Sequence, residues 1–117
     1  GMISKGYGKI INISSVGGRK GAFGRSAYRA SKAALISFTE SLAAELKPHG
    51  IDVNCLCPGS VVTEGYAEAF GPESVMNENM MDPSEIAELC YFLTSPKSSS
   101  VTGAIIDAYG ASNPLFQ

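Results

Sequence analysis

The sequence predicts an α/β fold built on a parallel three-stranded sheet. Apolar, β-branched segments alternate along the chain with stretches that show helical periodicity. Strands that alternate with helices are typical of parallel sheets, in which each helix crosses over one face. The 117 residues, with 44% hydrophobic and 17% charged side chains, suffice for one globular domain, residues 1–117. We predict strands in sequence order at 9–14, 51–57 and 104–108, and main helices at 26–47 and 83–94.

The first strand leads into a glycine-rich stretch at 15–24. Its glycines fit neither the Gly-x-Gly-x-x-Gly frame nor the P-loop frame, so we interpret it as a flexible turn and not as a phosphate cradle. A basic cluster overlaps this turn, and both a solvated surface and an anion-binding rim are open interpretations of it. The cluster consists of Arg19, Lys20, Arg25, Arg29 and Lys32.

The long helix has a candidate N-cap in Ser26, and Gly50 suits the left-handed position that follows its end. Apolar residues three and four apart predict the face that packs on the sheet. That predicted stripe consists of Leu35, Phe38, Leu42 and Leu46.

The second strand stops at Pro58-Gly59, and a mixed segment at 60–81 follows it. This segment is either a lid over an apolar ligand or a stretch that packs on the core. Asp82 as N-cap, Pro83 at the first helical position and Glu85 at the third predict where the second helix starts.

The composition argues against several classes of function. A net charge of −2 gives no reason to expect nucleic acid or an anionic membrane as partner, and no apolar run is long enough to span a bilayer. The odd number of cysteines, Cys55, Cys57 and Cys90, favours a reducing cytoplasm over a disulfide framework. With a single histidine in the chain no zinc ligand set is evident, so we predict no metal and interpret the cysteines as small buried residues.

A tyrosine and a lysine four residues apart form the candidate chemical centre. Tyr28 and Lys32 lie on one face of the predicted helix, where an ammonium stabilises tyrosinate and favours proton transfer by the phenol. The alternative is a surface pair that merely touches. Ser15 follows the first strand and Pro58-Gly59 follows the second, and ligands of parallel sheets bind at that carboxyl edge.

These motifs together resemble the second half of a short-chain dehydrogenase/reductase. The resemblance rests on Ile10 to Ser15, on Tyr28-x-x-x-Lys32, on Val53-Asn54, on Pro58-Gly59-x-x-x-Thr63 and on Val101-Thr102-Gly103, and it covers the chain from about Gly8 to Tyr109. It implies a partial Rossmann-like fold and an NAD(P)-dependent oxidoreductase that acts on an alcohol or carbonyl substrate.

The resemblance also implies roles for individual residues. Ser15 would hydrogen-bond the substrate oxygen, Tyr28 would be the general acid and base, and Lys32 would assist Tyr28 and hold the nicotinamide ribose. The nicotinamide end of NAD or NADP would be contacted by Tyr28 and Lys32, and by Pro58, Gly59, the backbone of Val61, and Thr63.

The first half of that family's fold has no counterpart in the sequence, including the glycine-rich dinucleotide turn. Two classes of function therefore stay open: a half-enzyme that needs a chain supplying the dinucleotide-binding half, and a catalytically silent α/β interaction module or truncated product. We expect the chain by itself to bind NAD(P) weakly. We also expect a homo-oligomer that uses the edge of the first strand, the long helix, or both.

Overall fold

A computed structural model describes residues 1–61, 68 and 80–112. Its three-stranded sheet is parallel and ordered β1-β2-β3, which confirms the predicted fold class and strand order. The elements are α1 (Met2–Lys5), β1 (Gly8–Ile13), α2 (Val16–Arg19), α3 (Ser26–Leu46), β2 (Ile51–Pro58), α4 (Pro83–Thr94) and β3 (Ile105–Ala108), with 3₁₀ turns at Lys47–His49, Pro96–Ser98 and Gly110–Ser112.

The central strand β2 forms the core of the sheet. Val53, Cys55 and Leu56 are fully buried, because β1 and β3 flank the strand and helices cover its faces. Strands buried on both faces tend to be continuously apolar, and the carboxyl half of β2, Cys55 to Cys57, follows this rule, whereas Asp52 and Asn54 in its first half are polar. Cys57 is buried as predicted, whereas Cys90 on α4 is only half-buried.

One polar side chain in the core ties β2 to the turn before β3. Asn54 is 1% exposed, donates its amide to the Val101 carbonyl at 3.1 Å and accepts from the Ala104 amide at 3.0 Å. Gly103 completes the turn with φ of 70°, a conformation that glycine adopts without steric cost. The Val53-Asn54 and Thr102-Gly103 motifs are therefore two sides of one structural contact.

The predicted packing face of α3 is partly wrong. Phe38 is 55% exposed, whereas Ile36, Thr39 and Ala43 form the buried line of the helix, flanked by half-buried leucines. Thr39 takes a core position because its hydroxyl accepts from the Asn12 amide at 2.9 Å and donates to the carbonyl one turn earlier at 2.8 Å. Periodicity alone predicts a large apolar residue at a buried position and does not identify a polar residue whose hydrogen bonds are satisfied there.

The start of α3 also differs from the prediction. The N-cap is Arg25, in a left-handed conformation, and Ser26 is the first helical residue. The other end is as predicted, with Gly50 left-handed at φ of 73°.

Helix α4 starts as the sequence predicts. Asp82 accepts from the Ser84 amide at 2.9 Å, and Glu85 accepts in return from the Asp82 amide at 2.8 Å. Hydrogen bonds from the Ser84 backbone and side chain stabilise the Asp82 carboxylate and hold the pKa of Asp82 below its ordinary value. Leu93 anchors the helix in the core at 1% exposure.

The two ends of the proposed lid segment meet at its base. Val61 and Met81 form a parallel bridge, and the Met81 amide donates to the Ser60 carbonyl at 2.9 Å. The segment between these ends falls almost wholly outside the described residues, so its interpretation as a lid or as core stays a prediction. In the part of the chain that the structure describes, no helix has the length and apolarity needed to cross a bilayer.

Candidate functional site

The carboxyl ends of all three strands adjoin one another. The Ser14 amide donates to the Leu56 carbonyl at 2.7 Å, which continues the β1–β2 register and brings Ser15 beside the end of β2. The Gly59 amide donates to the Ala108 carbonyl at 3.0 Å, which joins the ends of β2 and β3. The predicted residues Ser15, Pro58 and Gly59 therefore share one edge, where ligands of parallel sheets bind.

Ser15 starts a short helix where the sequence predicts a flexible turn. Its hydroxyl accepts from the Gly17 amide at 3.0 Å and caps α2. A serine hydroxyl retains a donor and a second acceptor site after accepting one bond. The Ser15 oxygen is therefore fixed by the cap and can still form further hydrogen bonds.

Two adjacent glycines let α2 lie directly on α3. A methyl group added to Gly17 would lie 3.2 Å from the Tyr28 ring and 3.5 Å from the Ser15 hydroxyl. One added to Gly18 would lie 2.8 Å from the Lys32 carbonyl carbon and oxygen, closer than real contacts allow. The absence of side chains here brings the end of β1 against the two turns of α3 that carry the predicted phenol and ammonium.

Lys32 is held in place by the end of β1, one turn along α3 from Tyr28. The Lys32 ammonium donates to the Ile13 carbonyl at 3.2 Å, and the Ser14 hydroxyl donates to the Lys32 carbonyl at 2.7 Å. The Lys32 nitrogen lies 5.8 Å from the centre of the Tyr28 ring, and Tyr28 is 38% exposed. A positive charge thus lies beside a phenol that a ligand can reach.

The residues predicted to contact a cofactor fall into two groups. Lys32, Pro58, Gly59 and Val61 lie at or near the carboxyl edge, whereas Thr63 falls outside the described residues. This donor set fits the nicotinamide end of a dinucleotide, since the ammonium can donate to ribose hydroxyls and a glycine offers its backbone without a side chain. For the pyrophosphate and adenosine the sequence carries no glycine-rich fingerprint, so the fit extends to the nicotinamide end only.

A second polar cluster anchors α2 to the last strand. Arg19 donates to the two carboxylate oxygens of Asp107 at 3.0 and 3.2 Å, and the Tyr109 hydroxyl donates to the same carboxylate at 2.8 Å. The paired carboxylate raises the pKa of Arg19 further. Burial and the bond to Asp107 raise the pKa of Tyr109 to about 12. The cluster therefore joins the end of α2 to β3.

We expect the free energy of unfolding to fall in alkali because of this cluster. The unfolded chain releases the Tyr109 proton near pH 10 and the folded chain releases it near pH 12. The stability that Tyr109 contributes is therefore complete below pH 10 and is lost as the pH rises from 10 to 12. Burial raises the pKa of Cys57 from 9.0 to about 11, which adds a loss of the same sign beginning near pH 9.

Denaturant unfolding followed across this pH range tests the alkaline loss. The Tyr109→Phe variant should show a shallower decline between pH 10 and 12 than the parent chain. Tyr91→Phe is the matched control, because Tyr91 is 75% exposed and its replacement should leave the slope unchanged. Equal slopes in all three proteins would contradict the assignment to Tyr109.

No group of three or more histidine, cysteine or carboxylate residues that could hold a metal ion occurs among the described residues. A serine, a tyrosine and a lysine lie at or near the carboxyl edge of the parallel sheet, an arrangement that the family resemblance associates with α/β oxidoreductases that use nicotinamide cofactors. The family model described as enoyl-(acyl carrier protein) reductase matches residues 1–110. The chain belongs to the short-chain dehydrogenase/reductase family, as the sequence motifs predict.

Several of the similar proteins are named as reductases. An acetoacetyl-CoA reductase of Shinella zoogloeoides is 40% identical over 119 residues, which cover 94% of this chain and 48% of the relative. The crystal structure of a 3-oxoacyl-[acyl-carrier protein] reductase from Brucella melitensis superposes with a TM-score of 0.82 at 36% identity, covering 94% of this chain and 44% of that one. An actinorhodin polyketide ketoreductase solved with NADPH superposes with a TM-score of 0.85 at 32% identity, covering 97% and 50%. The chain thus spans about half the length of the curated relatives it matches.

Sequence reasoning missed three contributors to this site. It interpreted Gly17 and Gly18 as flexibility, although they serve close packing, and it placed no contact between Arg19 and Asp107. It counted Arg25 only as one basic residue among five, whereas its guanidinium lies 4.4 Å above the Tyr28 ring. The run of glycines opposite the alanines of α3 was the available signal for close packing, but the other two contacts have no local signature.

Proposed function

We propose that this chain is the catalytic and nicotinamide-binding half of an NAD(P)-dependent reductase that interconverts a carbonyl and an alcohol. The observation that carries the proposal is the fixing of Lys32 against the end of β1 by the Lys32–Ile13 and Ser14–Lys32 hydrogen bonds, with its ammonium 5.8 Å from the centre of the Tyr28 ring. A surface pair that merely touches would need no such anchoring.

Tyr28 is the proton donor in this proposal. Its hydroxyl donates to the substrate oxygen during reduction and takes the proton back during alcohol oxidation, with the Lys32 ammonium 5.8 Å from the ring centre. Its 38% exposure lets a substrate oxygen reach the phenol. The nicotinamide, when bound, supplies or accepts the hydride at the carbonyl carbon.

Ser15 and Lys32 orient the reacting groups. The capped Ser15 hydroxyl is fixed at the strand end, where it can donate to the same substrate oxygen as Tyr28. Two donors on one developing alkoxide stabilise it more than either alone. Lys32 has further ammonium hydrogens beyond the one bonded to Ile13, and these suit the nicotinamide ribose hydroxyls.

The names of the relatives support a 3-oxo carbonyl as the reacting group. They include reductases of acetoacetyl-CoA and of 3-oxoacyl carrier protein. In each of these named substrates a ketone stands two bonds from a carboxyl-level carbon, and we propose that arrangement for the substrate here.

Calorimetric titration of the purified 117-residue chain with NAD⁺, NADH, NADP⁺ and NADPH tests the cofactor part. Dinucleotide affinity depends largely on the pyrophosphate at a glycine-rich helix start, so we expect binding much weaker than micromolar and no carbonyl reduction by this chain alone. The dinucleotide-binding half of an acetoacetyl-CoA reductase, added as a second polypeptide, should restore cofactor binding and turnover. A low-micromolar affinity of the chain alone would show that a second copy replaces that half.

The exposed edge of β1 supports association with such a partner. In the described sheet β1 pairs with β2 only, and Ile13 is 43% exposed. Phe38 adds exposed apolar surface on α3. We propose that a second copy or the dinucleotide-binding half covers this edge, and light scattering of the chain with and without that half distinguishes the two. A partner-bound assembly that neither binds cofactor nor reduces a ketone would favour the silent interaction module.

A further inference from the structure

Arg25 has an uncommon backbone conformation three residues before the proposed proton donor. Among the residues that the structure describes, it is the one non-glycine residue with positive φ, at 59°, and it follows Gly24 at φ of 76°. A left-handed conformation costs an arginine free energy that glycine would avoid. Arg25 is the N-cap of α3 but forms no side-chain cap bond, so capping does not account for the arginine. Backbone strain of this kind points to a task for the side chain.

The Arg25 side chain lies over the face of the Tyr28 ring. The guanidinium carbon is 4.4 Å from the ring centre, within the range of a cation–π contact. Residues three apart lie on the same side of a helical turn, which brings these two side chains together. Arg25 makes a further interaction as well. The stack uses only the flat face of the guanidinium, so it is compatible with partners in the guanidinium plane.

The Tyr28 ring is otherwise restrained along one edge. A methyl group built on Gly17 would lie 3.2 Å from Tyr28 Cε1, the ring atom next to the carbon that carries the hydroxyl, so α2 limits the ring there. Tyr28 is 38% exposed, and its hydroxyl has no hydrogen-bond partner among the described residues. The Lys32 ammonium lies farther from the ring centre than the Arg25 guanidinium, at 5.8 Å. The shorter cation contact on the ring is therefore the one that Arg25 makes.

We propose that Arg25 is a positioning residue, whose stacked guanidinium holds the Tyr28 ring in the orientation that presents the hydroxyl to the substrate. This inference rests on the proposed function, because it takes Tyr28 as the proton donor. A tyrosine ring turns about two side-chain bonds, and a general acid acts only within hydrogen-bond reach of the substrate oxygen. Arg25 then affects the rate of proton transfer through Tyr28, without a contact to the substrate.

Two variants remove the stack and suit the left-handed backbone. Arg25→Gly and Arg25→Asn introduce residue types that tolerate positive φ, so the turn into α3 should be kept. Their Tm should lie within about 5 °C of the parent value, because strain is relieved as the contact is lost. Lys20→Gln is the matched control, since it removes an equal charge from the same glycine-rich stretch and Lys20 has no cation–π contact with the ring in the described chain.

NMR of the uniformly ¹³C-labelled 117-residue chain measures the contact itself. An aromatic ring shields protons above its face, so the Arg25 δ-protons should resonate upfield in the parent chain and lose this shift in Tyr28→Leu. The order parameter of the Tyr28 ring should fall below about 0.6, the range of a flexible group, in both Arg25 variants and keep the parent value in Lys20→Gln. Arg25 δ-protons without the upfield shift, or a Tyr28 ring equally ordered without Arg25, would overturn the inference.

Turnover in an assembly with the dinucleotide-binding half measures the consequence. Both Arg25 variants should lower kcat about fivefold, the size that a cation–π contact at a partly exposed site supports, and change KM less than about twofold. Lys20→Gln should leave both constants within about twofold of the parent values. A higher KM at constant kcat would assign Arg25 to substrate binding instead and remove its positioning role.

The two measurements distinguish a failure of the positioning role from a failure of the proposed function. A parent assembly without turnover, made with a chain whose Tyr28 ring loosens when Arg25 is replaced, contradicts the proposed function and keeps the ring contact. An active assembly whose kcat is the same with and without Arg25 keeps the proposed function and overturns the positioning role.

Discussion

The Tyr28→Phe variant is expected to lose carbonyl reduction by about a hundredfold to ten-thousandfold, the range of a removed general acid. The phenylalanine ring keeps the shape against Gly17 and the stack with Arg25, so only the proton donor is lost. Lys32 remains bonded to Ile13, and cofactor affinity should therefore stay within about twofold. The measurement compares kcat and cofactor Kd in an assembly that contains the dinucleotide-binding half.

Tyr91→Phe serves as the matched control for that variant. Tyr91 lies on α4 at 75% exposure, away from the carboxyl edge, and the same loss of a hydroxyl there should leave kcat unchanged. A Tyr28→Phe variant that retains kcat would contradict the assignment of Tyr28 as proton donor. Parallel losses of kcat and cofactor binding would indicate a structural role for the phenol instead.

The second large effect concerns stability. Gly18→Ala is expected to destabilise the chain by about 3 kcal/mol, because the new methyl group meets the Lys32 main chain at 2.8 Å and the Ser14 hydroxyl at 2.6 Å. A carbonyl in the middle of a helix cannot move aside as a flexible side chain can. The loss corresponds to a Tm lower by roughly 10 °C or more for a domain of this size.

Gly21→Ala provides a control from the same turn. A methyl group added to Gly21 meets nothing within 4 Å, so the change in unfolding free energy should stay within about 0.5 kcal/mol. Thermal unfolding by circular dichroism, compared among the parent chain and both variants, decides between close packing and flexibility. If the two variants were equally stable, α2 would not rest on α3 as described.

A substitution at Gly18 is expected to disturb the candidate site because several of its groups depend on the contact between α2 and α3. Displacing α2 would move the Ser15 cap, the floor beneath the Tyr28 ring and the Ser14–Lys32 bond together. The Arg19–Asp107 pair opposes that displacement from β3, yet it is an exposed pair, with side chains 40% and 38% accessible. Exposed ion pairs contribute little, so the glycine contact dominates the position of α2.

Local signals in the sequence determined the strands, the main helices and most of their ends. The Asp82 capping box and the left-handed Gly50 involve only residues close in sequence, so both helix ends can be predicted without knowledge of any tertiary contact. The four-residue spacing of Tyr28 and Lys32 is equally local, since a helix fixes it. The parallel order of the strands follows from the helices that separate them.

Tertiary structure alone decided which surfaces meet. Periodicity predicts that Phe38, and not Thr39, lies on the face of α3 that packs on the sheet. In the structure Thr39 is buried and Phe38 exposed, because Asn12 on β1 hydrogen-bonds the Thr39 hydroxyl. Arg19 and Asp107 are 88 residues apart, and no local pattern joins them. The stack of Arg25 on Tyr28 depends on a left-handed turn that residue type disfavours. Propensity and periodicity describe each segment against an average environment, whereas these contacts depend on particular neighbours that only the folded chain supplies.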